Sequence, residues 1–352
     1  MAAIALLLAA CGEDADQEPD APDAEAPDAD APTEEPEADG GEAAAADDEP
    51  VQINWVSFQP ASHPEPGRVE TNFFDPATEA SGGSLTFEWR GGPDTMSPSD
   101  MGLNVQSGTV DAAMIFVGAY EGVVPGVGGW NLTQISPQEE RENGAVEFID
   151  GLHQENGLKY LARVQPQEEN FFYTWLRDNK LETQEDFRNA LIGTAAGARA
   201  AVGGWGATAE NVPVPDNYTA LERGVVEGVA GQPLEGAVAN GWHELVDYVI
   251  DHPYYQSTVV LIMNLDTWES LSENQQQALE QAVTAAEQEV MDLRVEALAE
   301  ARETIEAAGV EFYELEDEVR DWYLQTAFDS AWELQEENHP EVSTELRGLI
   351  SE

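Results

Sequence analysis

From residue 51 onward, apolar positions alternate between a period of two and a period near 3.6, the signature of mixed strands and helices. Val51–Phe58, with Ile53, Trp55 and Val56, reads as a first strand. A helix follows over 66–80, stopped by Ser81-Gly82-Gly83, and Leu85–Trp89 alternates as a second strand. Pro98 marks the first turn of a helix over 97–107, since proline loses no hydrogen bond there. Ala112–Val117 reads as a third strand, 122–129 as a glycine-rich loop, and 137–156 as a helix with Val146, Ile149 and Leu152 on one face. Strands at 158–164 and 170–175 follow, then a helix at 183–190, a strand at 191–194, helices near 197–206 and 217–223, a strand at 225–229 and a helix at 234–244. Tyr254–Met263 is a β-rich run. Ser272-Glu-Asn-Gln275 fits a capping box at the start of the longest helix. Leu279, Val283, Ala286, Val290, Leu293 and Ala297 form its apolar stripe, and Gly309 ends it. A short strand at 310–315 and an amphipathic helix at 316–338, carrying Val319, Trp322, Phe328 and Leu334, complete the pattern.

One arrangement occurs twice. Leu103-Asn-Val-Gln-Ser-Gly108-Thr-Val-Asp111 leads into an apolar run, and Tyr218-Thr-Ala-Leu-Glu-Arg-Gly224-Val-Val-Glu227 does the same. Each copy reads as helix end, Gly, two residues, acid, strand. Gly108 and Gly224 stand where a helix end needs positive φ. Two such copies predict two similar α/β halves, and ligands of open α/β sheets bind at the carboxyl ends of strands. Facing halves would enclose a cleft.

Composition changes the picture at the N-terminus. The 352 residues carry 14 Lys+Arg against 70 Asp+Glu, a net charge of −56. Seventeen of those acids fall in residues 12–50, a Pro/Ala/Asp/Glu segment without a basic residue, which leaves −39 on the remainder. Residues 12–50 offer too little apolar surface to offset the entropy of ordering and read as a disordered acidic linker. The strongly acidic remainder reads as adaptation to salt, which screens charge within about 3 Å at 1 M. Such a surface excludes nucleic acid as a partner. Leu8-Ala9-Ala10-Cys11 resembles a lipobox, implying cleavage before Cys11, lipidation of its thiol and a lipid anchor in the membrane. A charged leader start is absent, so the true start of translation is expected upstream. Cys11 is the single cysteine, which excludes an intrachain disulfide.

The stretch "GWGAT…VP…NYTALERGVVEG" is similar to the segment L-G-A-x-P-V…Y-x-A-L-Q-x-G-V-V-D-G of DctP-type solute-binding proteins of tripartite ATP-independent periplasmic (TRAP) transporters. Gly206, Ala207, Tyr218, Ala220, Leu221, Gly224, Val225, Val226 and Gly228 match, and Glu227 replaces the usual Asp. The resemblance runs from about residue 51 to 338 and includes LSENQQQALEQA at 271–282. It implies a two-domain α/β periplasmic-binding-protein-like fold with a cleft between domains and long C-terminal helices. The expected division is a leader and lipobox at 1–11, the acidic linker at 12–50, a first domain of 51–174 plus about 257–300, a second of 175–256, and a C-terminal strand and helix at 301–352 packing on both.

The family usually pairs an arginine with a ligand carboxylate. Counting back from Gly206 puts Gly193 at that position, and a second family arginine falls near Tyr173. Two alternatives follow: Arg199 or Arg90 replaces the missing cation, or aromatics and amides hold the ligand. The candidate ligand-binding residues are Phe58, Arg90, Phe116, Tyr120, Tyr173, Arg199, Trp205 and Gln232. Dicarboxylates are expected to bind weakly, and neutral, zwitterionic or aromatic-bearing solutes better. No H-E-x-x-H, G-x-x-x-x-G-K-[ST] or G-x-S-x-G motif is present, and the five histidines are scattered. Glu65, Glu88 and Asp111 read as solvated or capping acids rather than metal ligands. The expectation is therefore an extracytoplasmic solute-binding subunit, not an enzyme, with no cofactor and no metal. It would deliver a small organic solute to TRAP-type permease subunits; a ligand-sensing receptor feeding a membrane signalling protein is the alternative.

Overall fold

The computed structural model describes residues 48–165, 171–194 and 196–351. Residues 1–47, where a leader, a lipidated Cys11 and most of an acidic linker are expected, lie outside the described residues. Eleven strands form two sheets among the described residues. The first has the order β2-β1-β3-β10-β4, with β1 Val51–Ser57, β2 Leu85–Gly91, β3 Ala112–Phe116, β4 Leu158–Arg163 and β10 Val259–Asn264. The second has the order β11-β9-β5-β8-β6-β7, with β5 Phe172–Leu176, β6 Leu191–Thr194, β7 Thr208–Asn211, β8 Gly228–Gln232, β9 Tyr248–Tyr254 and β11 Glu311–Tyr313.

The sheets share one plan. In each, three parallel strands (β2-β1-β3, β7-β6-β8) are followed by an antiparallel strand contributed by the chain as it crosses over, β10 in the first sheet and β5 in the second. Even the register agrees. Trp55 pairs with Ala112 and Ser57 with Met114, as Ile192 pairs with Gly228 and Thr194 with Ala230. The repeated helix–Gly–acid motif sets that register. Gly108 and Gly224 have φ of 70° and 65°, a left-handed turn that costs glycine little. In the first lobe the Asp111 amide donates to Asn54 O (2.9 Å), and the Asp111 carboxylate accepts from the Asn54 amide (2.7 Å). In the second, the Glu227 amide donates to Leu191 O (2.9 Å) and its carboxylate accepts from the Leu191 amide (2.8 Å). Each acid thus ties the start of one strand to its parallel neighbour.

The helix Glu273–Ala307 spans both lobes and, at 1.5 Å per residue, is about 52 Å long. Ser272 and Gln275 form its capping box. Leu279, Val283 and Ala286 pack on the first lobe, and Ala301 and Ile305 on the second. Midway, buried Glu287 pairs with Arg141 and accepts from the Tyr160 hydroxyl (3.2 Å). On the opposite side of both sheets, one continuous core joins the lobes through Trp205, Tyr254, Tyr255, Phe328 and Trp332. Tyr255 lies at the crossover between β9 and β10 with φ of 56°, a strained conformation for a bulky residue. Its ring packs edge-on against Tyr254 and Phe328, and its hydroxyl donates to Ala327 O, contacts that hold the strain in place.

Several elements differ from expectation. The helix expected over 66–80 contains a π turn at Glu70–Phe74, and that over 137–156 is interrupted between Glu142 and Ala145. The strand expected at 225–229 is β8, Gly228–Gln232. The Val225 amide still closes the preceding helix onto Ala220 O (2.9 Å), so the ladder begins three residues later. β7 and the helices Leu265–Ser270 and Pro340–Ile350 have no counterpart in the expected pattern. In the helix Asp317–Asn338 the buried face is Tyr323, Ala327, Phe328, Ala331 and Trp332, while Leu334 is exposed. The boundary expected at 174/175 would cut β5, which lies wholly in the second sheet.

Candidate ligand cleft

A cavity of about 880 Å³ lies between the two sheets. The first lobe supplies an aromatic wall. Phe58 follows β1 and Phe116 ends β3, their rings meeting edge to face at 5.3 Å, and Phe73 lies beside them. The second lobe supplies small residues, an amide and aromatics of its own: Gly197, Ala198, Ala230, Gly231, Phe172 on β5, Trp242 and, at the end of β8, Gln232. Phe116 and Gln232 occupy equivalent register positions in the two sheets. Gly231 is required by close approach as well as by its φ of 80°: a Cβ there would lie 2.4 Å from the Ala198 Cβ. The long helix closes the cavity with Val290, Leu293 and Arg294, so the expected apolar stripe is broken there and Leu293 is half exposed to the cleft.

Among the lining residues the charged groups are Glu65, Arg68, Glu235 and Arg294. Arg68 pairs with Glu65 at 2.8 Å, near the cleft mouth, with its own side chain largely exposed. Arg294 is 9% exposed, pairs with Glu235 at 3.0 Å and lies 5.4 Å over the Phe171 ring. His63 caps the helix Pro64–Val69 by accepting from the Glu65 amide, and burial lowers its pKa below the usual histidine value. It is neutral near pH 7.

The expected site residues divide. Phe58, Phe116 and Gln232 line the cleft. Tyr120 is not among its lining residues. It is buried, and its hydroxyl donates to His153 Nε2 (2.9 Å), because His153 Nδ1 donates to Ile149 O (2.7 Å). Trp205 is buried away from the cleft, stacked on Tyr323 at 4.3 Å with its Nε1 donating to Tyr323 O. Tyr173 packs edge-on to Phe312 in the core of the second lobe. Neither candidate replacement cation reaches the cavity. Arg90 is exposed and donates to Asn54 Oδ1 (2.7 Å) and Glu88 (2.6 Å); Arg199 is exposed and reaches Ala209 O (3.4 Å). At Gly193 the space for a side chain is filled: a Cβ would lie 3.1 to 3.4 Å from Val212, Val229 and Val226.

Arg294 is the buried one of two cleft arginines, neither of which the residue pattern singled out. A signal existed: it is one of only 14 basic residues, and it sits beside the stripe, four residues after Val290 and three before Ala297. Among the described residues no group of His, Cys, Asp and Glu could hold a metal ion, and no helix is long and apolar enough to cross a membrane. Of the acids weighed as metal ligands, Asp111 caps β1 and Glu65 pairs with Arg68.

Two pseudo-equivalent α/β lobes joined by crossover strands and a shared helix, with a large cavity between them, define a two-lobed binding protein. The chain belongs to the DctP family, bacterial extracellular solute-binding protein family 7, whose profile matches residues 56–338. A solute-binding protein of Roseobacter denitrificans is 31% identical over 111 residues, 32% of this chain; the match spans only about a third, 34%, of that relative's length. Solved structures share the fold. A TRAP periplasmic solute-binding protein from Ochrobactrum anthropi, with its C-terminus bound in the ligand-binding pocket, superposes with a TM-score of 0.73 at 21% identity, covering 86% of this chain and 95% of its own. One from Roseobacter denitrificans with bound β-D-glucuronate gives 0.69 at 19%, covering 85% and 99%. An extracytoplasmic solute receptor of Bordetella pertussis binding pyroglutamic acid gives 0.69 at 14%, covering 86% and 100%.

Proposed function

We propose that this protein captures a small organic solute in the interlobe cleft and delivers it to the membrane permease of a TRAP-type transporter. The observation that carries this reading is a cavity of about 880 Å³ lined from both sheets and from the helix that spans them. A solute touching both walls binds the closed arrangement better than the open one, and that differential affinity shifts the population towards closure. No covalent step is asked of the lining groups. The uronate and pyroglutamate held by the structural relatives support a compact, polar organic ligand. Lipidation of Cys11 would keep the protein at the membrane surface, and Cys11→Ser should release it from membranes of a host with the lipoprotein pathway.

The test is a thermal-shift screen of organic acids, sugar acids and amino-acid derivatives, followed by uptake with the permease. A ligand that binds only the folded state raises stability by about 2.7 kcal/mol at a hundred times its Kd. A hit whose stabilising effect is reduced in Phe116→Ala supports the reading. A screen in which no small solute stabilises the protein contradicts it.

A further inference from the structure

We propose that the Arg294–Glu235 pair is the head-group site of the cleft, and that the solute it takes is zwitterionic: a carboxylate and an N–H-bearing cation on neighbouring atoms, attached to a compact apolar body. The inference rests on the cleft being a solute site, as proposed above, and adds the charge class of the solute.

Charge balance is the first ground. The cleft is lined by two acids and two bases, already matched as Arg68–Glu65 and Arg294–Glu235, with His63 neutral. A purely anionic solute would gain Arg294 while meeting Glu235, and a purely cationic one would meet the reverse. Like charges at close range in a partly desolvated site oppose each other strongly. A zwitterion can face both members without leaving either unmatched.

Unused hydrogen-bonding capacity is the second ground. Arg294 is nine-tenths buried, and its ion pair with Glu235 uses Nη2. Its Nε has no partner among the described residues, nor has the Glu235 Oε2. One spare donor and one spare acceptor therefore belong to the same pair. Guanidinium recognises carboxylate through paired N–H donors, and a carboxylate accepts from ammonium. A small rearrangement of the two side chains on ligand entry would offer both groups at once.

Placement is the third ground. Arg294 belongs to the helix shared by both lobes, and Glu235 to the first turn of the helix Leu234–Ala239 that follows β8. The pair and the Phe58–Phe116 wall line the same cavity, and Phe171 lies under the guanidinium. A head group on the pair leaves an apolar body within a cavity that also holds these aromatic rings.

Matched probe sets test this without any substitution. Each set holds an amino acid, a nitrogen-free acid of matching shape and its decarboxylated amine: phenylalanine, 3-phenylpropanoate and 2-phenylethylamine; leucine, 4-methylpentanoate and isoamylamine; proline, cyclopentanecarboxylate and pyrrolidine. Calorimetry on the full chain should show, in at least one set, the zwitterion binding about tenfold or more tighter than both partners. Glu235→Gln should erase the advantage over the acid, and Arg294→Gln should weaken zwitterion and acid together. If a variant fails to fold, the order on the unaltered protein still decides. Acids equal to or tighter than their zwitterions in every set, no binding by any zwitterion, or a preference that survives in a folded Glu235→Gln would overturn the proposal. D-Glucuronate and succinate serve as controls. Binding of either while the zwitterions fail leaves the cleft a solute site and removes only the charge assignment; failure of every probe and control counts against both.

Discussion

The two lobes share a five-strand plan, the same register and the same acid-capped entry to the third strand, yet the ends of their equivalent strands present different side chains to the cleft. Where β3 ends in Phe116, β8 ends in Gln232; where the first lobe offers Phe58 and Phe73, the second offers Gly197, Ala198 and Gly231. The shared features hold strands in place, and the differing ones touch the cavity. Asp111 and Glu227 both bind a neighbouring strand's backbone, but Asp111 also accepts from Asn54 Nδ2 (2.8 Å) and Thr267 Oγ1 (3.4 Å), whereas Glu227 is exposed. The duplicated scaffold is thus fixed by backbone chemistry, and the side chains at its strand ends are free to diverge.

The largest expected effect comes from placing an arginine at Gly193, the position where the resemblance read from the sequence expects one. Gly193→Arg would push a charged chain into space held by Val212, Val226 and Val229. Overpacking and burial of an unpaired charge together should cost about 3 kcal/mol or more, measured as a fall in denaturation midpoint. A folded variant with unchanged stability and a newly gained dicarboxylate affinity would show that the valines yield. Next, Asp111→Ala should lose about 2 kcal/mol and Glu227→Ala about 1 kcal/mol or less, since hydrogen bonds to a charged acceptor count more where burial excludes water. Equal losses in urea titrations would contradict the contrast drawn between the lobes.

Acid sensitivity should centre on His153, the most deeply buried of the histidines with a lowered pKa. Burial pushes His153, in the first lobe, down to about 4, while an unfolded histidine titrates near 6.5. Between those values the unfolded state binds the extra proton, so stability is complete above 6.5 and declines as pH falls towards 4. Relative to His153→Gln, the unaltered protein should lose about 2 kcal/mol more on going from pH 7 to pH 5. Parallel stability curves would refute that assignment. The smallest effects concern the cleft walls. Phe116→Ala should weaken binding of a screened solute about tenfold, or 1.4 kcal/mol, and Gln232→Ala less, both by calorimetry.

The parallel strands of the first lobe were legible because Ile53, Trp55, Leu85 and the run Ala112–Phe116 carry apolar periodicity. In the second lobe Gly228–Gln232 and Thr208–Asn211 carry no such signal. Their strands form because a neighbour supplies the ladder, a tertiary effect that local propensity does not encode. The motif shared by Gly108 and Gly224 was visible, and it correctly implied two halves. Cleft-lining residues were legible where they stand at or just after strand ends, as with Phe58, Phe116 and Gln232. Tyr120, Tyr173 and Trp205 have the same composition signal as cleft aromatics, but their side chains point into cores. Arg294 escaped notice because it lies on the face of a helix whose apolar stripe continues past it. Only the gap between lobes turns that position into a cavity wall.

A captured solute should draw the two lobes together across this cleft. Spin labels at Thr86 on β2 and Glu210 on β7, exposed positions on the two equivalent edge strands, in a Cys11→Ser background, allow the distance between lobes to be measured by electron–electron double resonance. Adding a solute that stabilises the protein should shift the distribution to shorter distances, with the same midpoint concentration as calorimetric binding. A distribution that stays unchanged when the site is saturated would contradict capture by closure.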